Sequence, residues 1–183
     1  MSANEIDVAK FHGLVAEFTD DRDLVFAARE ARRFGYTKME AYSPFPVHGI
    51  DDALGVPRSR LGWIVLGVGL TGTMSAILLQ WWTGAVSYPL VIGGKPLFSM
   101  EFATPVTFEL TVLFGAFAAV FGMFALNGLP RFYHPVFNYS NAGKMTDDRF
   151  LLVIEADDPC FDPKESADLM KSLGATNSEL VEA

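Results

Sequence analysis

The sequence predicts an α+β membrane protein in which a two-helix transmembrane hairpin is inserted between the halves of a ferredoxin-like βαββαβ domain. Three observations carry that expectation. Charge almost vanishes between residues 61 and 129, where only Lys95, Glu101 and Glu109 occur, while every other charged side chain of the 183-residue chain lies in the flanks. Two stretches inside this region are long and apolar enough to cross a hydrocarbon core as helices. Each flank reads strand, helix, strand, so one half-domain precedes the hairpin and a matching half follows it. The division runs 1–58 for the first half and its linker, 59–129 for the hairpin, and 130–183 for the second linker and half.

In chain order, residues 10–18 (KFHGLVAEF) form the first strand. Asp20 or Asp21 caps a helix over 22–34, with Leu24, Ala27, Ala28 and Ala31 on one face and Gly35 ending it. Residues 36–42 alternate as a second strand. The proline-bearing stretch 42–49 (YSPFPVHG) reads either as a contact loop or as the linker to the first span. Residues 61–82 contain no ionisable side chain and make the first transmembrane helix, about 30 Å long at 1.5 Å per residue. An outer loop spans 83–105, and the second helix follows Pro105, from about 106 to 128. Beyond it, residues 149–156 make a buried-type strand, 163–173 a helix begun by Asp162 and closed by Gly174, and 178–181 a final strand.

Neither half buries a core alone, because two strands and one helix leave an apolar sheet face open. Joined, they complete the βαββαβ sandwich, with the membrane hairpin in place of the tight turn between the second and third strands. The basic residues of the short segments set the orientation. Arg58, Arg60, Arg131 and Lys144 flank the spans and only Lys95 lies between them, which places both termini in the cytoplasm. Trp81, Trp82 and Tyr88 on the outer side and Trp63 and Tyr133 on the inner side suit interfacial belts.

In the second helix, Gly115, Ala118, Gly122 and Ala125 share one face, while Phe114, Phe117, Phe121 and Phe124 form an adjacent ridge. The first helix supplies Gly69, Gly72, Thr73 and Ala76, so the smooth faces are expected to pack together. That leaves the phenylalanine ridge to lipid or to the groove of a larger membrane protein.

Composition excludes several functions. A formal net charge of −8 disfavours nucleic acid. One cysteine, Cys160, permits no intrachain disulfide, and no CxxC or CxxCH offers attachment for a cluster or covalent haem. The loop at 19–23 carries three acids where metal-binding ferredoxin-like domains often carry CxxC; they read either as ligands of a hard cation or, more simply, as helix-capping and dipole-complementing residues. The opening lacks a basic-then-apolar pattern, so a cleavable signal peptide is not expected. No nucleophile, base and orienting group recur at a catalytic spacing. Polar candidates remain. Glu109 sits about one turn inside the outer membrane boundary and reads either as a boundary residue able to snorkel or as a proton-handling or inter-subunit contact. His134 and Asn138 lie in LPRFYHPVFNYS, a stiff non-helical segment at the inner exit. His134 is either a proton relay or a headgroup and linker hydrogen-bonding residue.

The run TPVTFELTVLFGAFAAVFGMFALNGLPRFYHPVFN, followed by DDRFLLVIEADDP, resembles the D subunit of bacterial alternative complex III, a quinol-oxidising assembly, across essentially the whole chain. The resemblance implies an accessory, cofactor-free subunit of the bacterial inner membrane. Haem c and iron–sulfur clusters would belong to partner chains, namely a multihaem cytochrome c and an iron–sulfur subunit, beside multi-span quinol-oxidoreductase subunits. It implies a role in stabilising the assembly or shaping a proton route, with Glu109, His134 and Asn138 as contact or route residues. The alternative from the residues alone is a membrane-tethered sensor whose ferredoxin-like domain binds a small ligand. A two-helix transporter is disfavoured, since one peripheral carboxylate encloses no polar pathway.

Overall fold

The computed structural model describes residues 10–183; the first nine, which contribute to the signal-peptide expectation, lie outside the described residues. The chain forms two compact units, one from the flanks up to Pro57 and from Phe132 onward, the other from Arg58 to Arg131.

The first unit is built on β1 (Phe11–Phe18), α1 (Asp21–Arg33), β2 (Met39–Tyr42), the short helix α2 (Ile50–Leu54), β3 (Phe150–Glu155), α5 (Pro163–Ser172) and β4 (Asn177–Glu182). The helix ends follow the capping chemistry. Asp20 accepts the Arg22 N–H and Asp162 accepts those of Lys164 and Glu165. Gly35, at φ 105°, lets the chain leave α1 in a conformation that a side chain would strain. β2 begins three residues later than the alternation suggests, because Thr37 and Lys38 donate their N–H groups to the Asp158 carboxylate instead of to a strand.

The four strands make one antiparallel sheet in the order β2-β3-β1-β4. β1 and β2 are therefore parallel to each other with β3 between them, and β3 and β4 are parallel with β1 between them. Each strand–helix–strand half leaves a slot that the other half fills. Leu14, Ala16, Phe18, Leu152 and Ile154 point to one face, where Leu24, Ala27, Ala28 and Ala31 of α1 and Met170 of α5 cover them. Val15, Leu151, Val153 and Val181 point to the other, where Val136, Tyr139, Ala142 and Met145 cover them.

That second cover was not expected. Residues 130–149 read as a linker, yet they contain 3₁₀ turns at Pro135–Asn138 and Ala142–Thr146, and the part from Val136 to Met145 lies across the sheet as a strap. β3 is accordingly buried on both faces, which explains its unbroken apolar run.

The second unit is a hairpin of α3 (Leu61–Trp81) and α4 (Met100–Leu126). A π-helical turn over Trp82–Ser87 prolongs α3 beyond the expected end at 82, the Tyr88 N–H reaching Thr83 O five residues back at 3.0 Å. α4 begins at Met100, six residues before the expected start, and Pro105 lies inside it. Pro105 is the sixth residue of α4, so the helix gives up one backbone hydrogen bond there, to the Glu101 carbonyl, and the ring disturbs only the turn before it. Both helical stretches are long and apolar enough to cross a membrane, and their apolar side chains are largely exposed.

Candidate functional site

The seam of the hairpin is laid by small residues. Gly69, Gly72 and Ala76 of α3 and Ala103, Ala118 and Gly122 of α4 are buried along it. A Cβ at Gly72 would fall 2.7 Å from Leu110 O and 2.9 Å from Phe114 Cβ, so backbone meets backbone there only because the side chain is missing. Gly115 is more loosely placed, since a Cβ there would lie 3.8 Å from a Val65 methyl, and Ala125 is exposed.

Polar groups bridge the seam at two levels. The hydroxyls of Thr73 and Thr111 are 2.7 Å apart. Gln80 Nε2 donates to Ala103 O and Ala76 O at 3.2 Å each and lies 3.4 Å from Thr107 Oγ1. Inside an apolar medium such side chains find few other partners, so these contacts fix the register of the two helices. No periodicity marks Gln80; two of its three partners come from α4, more than twenty residues away.

The phenylalanine ridge divides. Phe114 turns into the seam and packs on Gly72, unlike the free face its spacing suggests. Phe117, Phe121 and Phe124 remain exposed, and the rings of Phe117 and Phe121 stack with centroids 6.0 Å apart. Val68, Phe114, Phe117 and Phe121 line an apolar groove of about 410 Å³ on the hairpin surface.

Glu109 points away from α3, exposed and without a hydrogen bond or ion pair among the described residues. Because α4 starts at Met100, Glu109 lies nine residues into the helix, about 13 Å along it at 1.5 Å per residue. Glu101, expected in the outer loop, falls in the first turn of α4. Lys95 sits over the Phe102 ring, 4.2 Å from its centroid.

In the other unit, the strap carries His134 and Asn138. His134 Nδ1 accepts the Val136 N–H at 3.3 Å, its ring meets His12 edge-on at 5.1 Å, and its Nε2 is 3.9 Å from Glu40 Oε2, which also accepts the Tyr42 hydroxyl. The segment read as non-helical thus winds into a 3₁₀ turn capped by His134 itself. Asn138 Nδ2 donates to Glu182 O at 3.2 Å, tying the strap to β4. The strap's main latch is Glu17, which sequence reasoning missed. Only 6 % exposed, it accepts from Tyr139 Oη at 2.7 Å and Asn141 Nδ2 at 3.3 Å and pairs with Arg149 at 3.1 Å. Burial and the Glu17 hydrogen bond together push the Tyr139 hydroxyl above its usual range.

A second buried acid organises the opposite end of the sheet. Asp158, 4 % exposed, takes the N–H groups of Thr37 and Lys38 at 2.7 Å and of Cys160 at 2.9 Å, with the Thr37 hydroxyl at 3.2 Å. Burial works against its charge, but these donors outweigh it and hold the carboxyl below its usual range. The signal available in sequence was only the acid-rich EADDP after β3.

Among the described residues no three histidine, cysteine, aspartate or glutamate side chains converge as metal ligands do. The polar clusters of the sheet domain hold backbone and strap; the hairpin presents an apolar aromatic surface.

Residues 12–179 match the family described as alternative complex III, ActD subunit. Among curated proteins none matches the chain.

Proposed function

The chain belongs to the alternative complex III ActD subunit family, and on that premise we propose that it acts as an accessory, cofactor-free subunit that stabilises the assembly through its hairpin. The observation that carries the reading is the exposed Phe117–Phe121–Phe124 surface beside a seam already closed by glycine, alanine and threonine. The seam hydroxyls and Gln80 find their partners within the hairpin, so its outward aromatics are free to fill grooves of a larger membrane neighbour. The neighbours fitting that surface are the multi-span quinol-oxidoreductase subunits, with the multihaem cytochrome c and iron–sulfur subunits supplying the redox centres.

In this reading both helices cross the bacterial inner membrane, and the positions of Arg58, Arg60 and Arg131 favour cytoplasmic termini. The strand order β2-β3-β1-β4, with each half filling the slot of the other, supports a ferredoxin-like sandwich split by the hairpin. A proton-route role would fall on Glu109, an unpartnered carboxylate well inside α4, more readily than on His134 or Asn138, whose polar atoms hold the strap.

Purification of the tagged chain from its native membrane in mild detergent, followed by mass spectrometry and a haem spectrum, tests the reading. Recovery with a multihaem cytochrome c, an iron–sulfur protein and multi-span subunits is expected. A lone colourless protein would overturn it.

A further inference from the structure

The outer surface of α1 carries Arg22, Phe26 and Arg29 at i, i+4 and i+7, one stripe of the helix. Across from it stand Phe45 and His48 of the loop before α2, and together they wall a groove of about 500 Å³. Phe26 and Phe45 are both more than half exposed although neither belongs to the hairpin. The other α1 arginines are engaged: Arg33 pairs with Glu30, and the Arg32 guanidinium lies over Gly55. Arg29 has no ion pair or side-chain hydrogen bond among the described residues. Arg22 faces only Asp20, whose carboxylate is already capping the helix, and Asp21 at the groove's edge.

We propose that this groove docks an acidic, apolar-flanked peptide segment of another subunit, its carboxylates on Arg22 and Arg29 and its apolar side chains between Phe26 and Phe45. Charge complementarity selects the occupant: two guanidinium groups flanking exposed aromatic rings are an unusual surface on a chain of formal charge −8. A walled groove with aromatics suits a peptide better than a flat headgroup layer. Arginine, with its planar fork, binds carboxylate in two-point fashion, so the site reads sequence as well as charge.

The inference rests on membership in the complex, and its test separates the two. The photoreactive analogue p-benzoylphenylalanine replaces Phe45 in the full-length chain expressed in its native membrane, and light-induced adducts are mapped by mass spectrometry in the purified complex. An adduct within a segment of a different subunit bearing at least two Asp or Glu residues is expected. Arg22→Glu together with Arg29→Glu should lower its yield roughly tenfold, the effect of two partly screened charge pairs made repulsive, and Arg22→Gln with Arg29→Gln should lower it less. The glutamine pair keeps the test decisive should the charge reversal fail to accumulate. Adducts to lipid only, to this chain itself, or to a segment without carboxylates would overturn the groove's assignment, as would equal yields in the wild-type and glutamine-substituted chains. In those outcomes the chain still co-purifies with the complex; loss of co-purification from the unsubstituted chain would instead overturn the proposed function.

Discussion

Gly72→Ala should destabilise the hairpin even though alanine is the better helix former. On an open helix surface the change gains up to about 1 kcal/mol. At position 72 the new Cβ would lie 2.7 Å from Leu110 O and 2.9 and 3.0 Å from Phe114 Cβ and Cγ. Ordinary contact is about 3.4–4 Å, so the helices must part by roughly half an ångström or Phe114 must leave its rotamer; over-packing of this kind costs about 1–3 kcal/mol. The net expectation is a loss of about 1 kcal/mol, enlarged where the parting stretches the neighbouring Thr73–Thr111 hydrogen bond. Gly67→Ala is the control, because nothing lies within 4 Å of a Cβ there, and it should be neutral or stabilising. Gly122→Ala should fall between them, since the atom it meets at 2.9 Å is the flexible end of Leu61. All three tryptophans, Trp63, Trp81 and Trp82, lie on α3 or the turn that extends it, so their fluorescence during an SDS titration of the detergent-purified chain reports the hairpin alone. A Gly72→Ala midpoint equal to or above that of Gly67→Ala would refute the packing argument.

Other expectations concern the sheet domain and the aromatic face. Because Asp158 is held below the usual carboxylate range, its stabilisation is full above the unfolded pKa and is lost as pH falls through the depressed folded value. Asp158→Asn should therefore cost about 1–3 kcal/mol near pH 7 and flatten the acid side of the stability curve, as thermal melts by circular dichroism from pH 7 to about 3 would show. Glu17→Ala strips Tyr139, Asn141 and Arg149 of their common acceptor and should cost about 2–4 kcal/mol, with hydrogen exchange rising first in residues 135–146; exchange confined to the helices would argue against the latch. Phe117→Ala with Phe121→Ala should leave the SDS midpoint within about 0.5 kcal/mol, since both rings are exposed, yet reduce co-purification with the other subunits severalfold.

The sequence by itself determined whatever depends on near neighbours. The loss of charge between 61 and 129 marks the hairpin, Asp20 and Asp162 begin their helices, Gly35 and Gly174 follow them, and the glycine and alanine spacing of α3 names a seam whose central members are buried. Membership in the family was legible in the long run from Thr104 to Asn138 and in the stretch around β3. Tertiary structure decided what depends on partners far along the chain. Glu17 meets Tyr139 across 122 positions and Asp158 meets Thr37 across 121, and no local period records either pair. The segment from Val136 to Met145 lacks amphipathic periodicity, so only the apolar second face of the sheet reveals it as a cover. Phe114 belongs by spacing to the exposed ridge, but its direction was settled by the space that Gly72 leaves on the opposite helix. Periodicity tells a side chain which face it occupies; what lies against that face is set by the shape and chemistry of the element that arrives there.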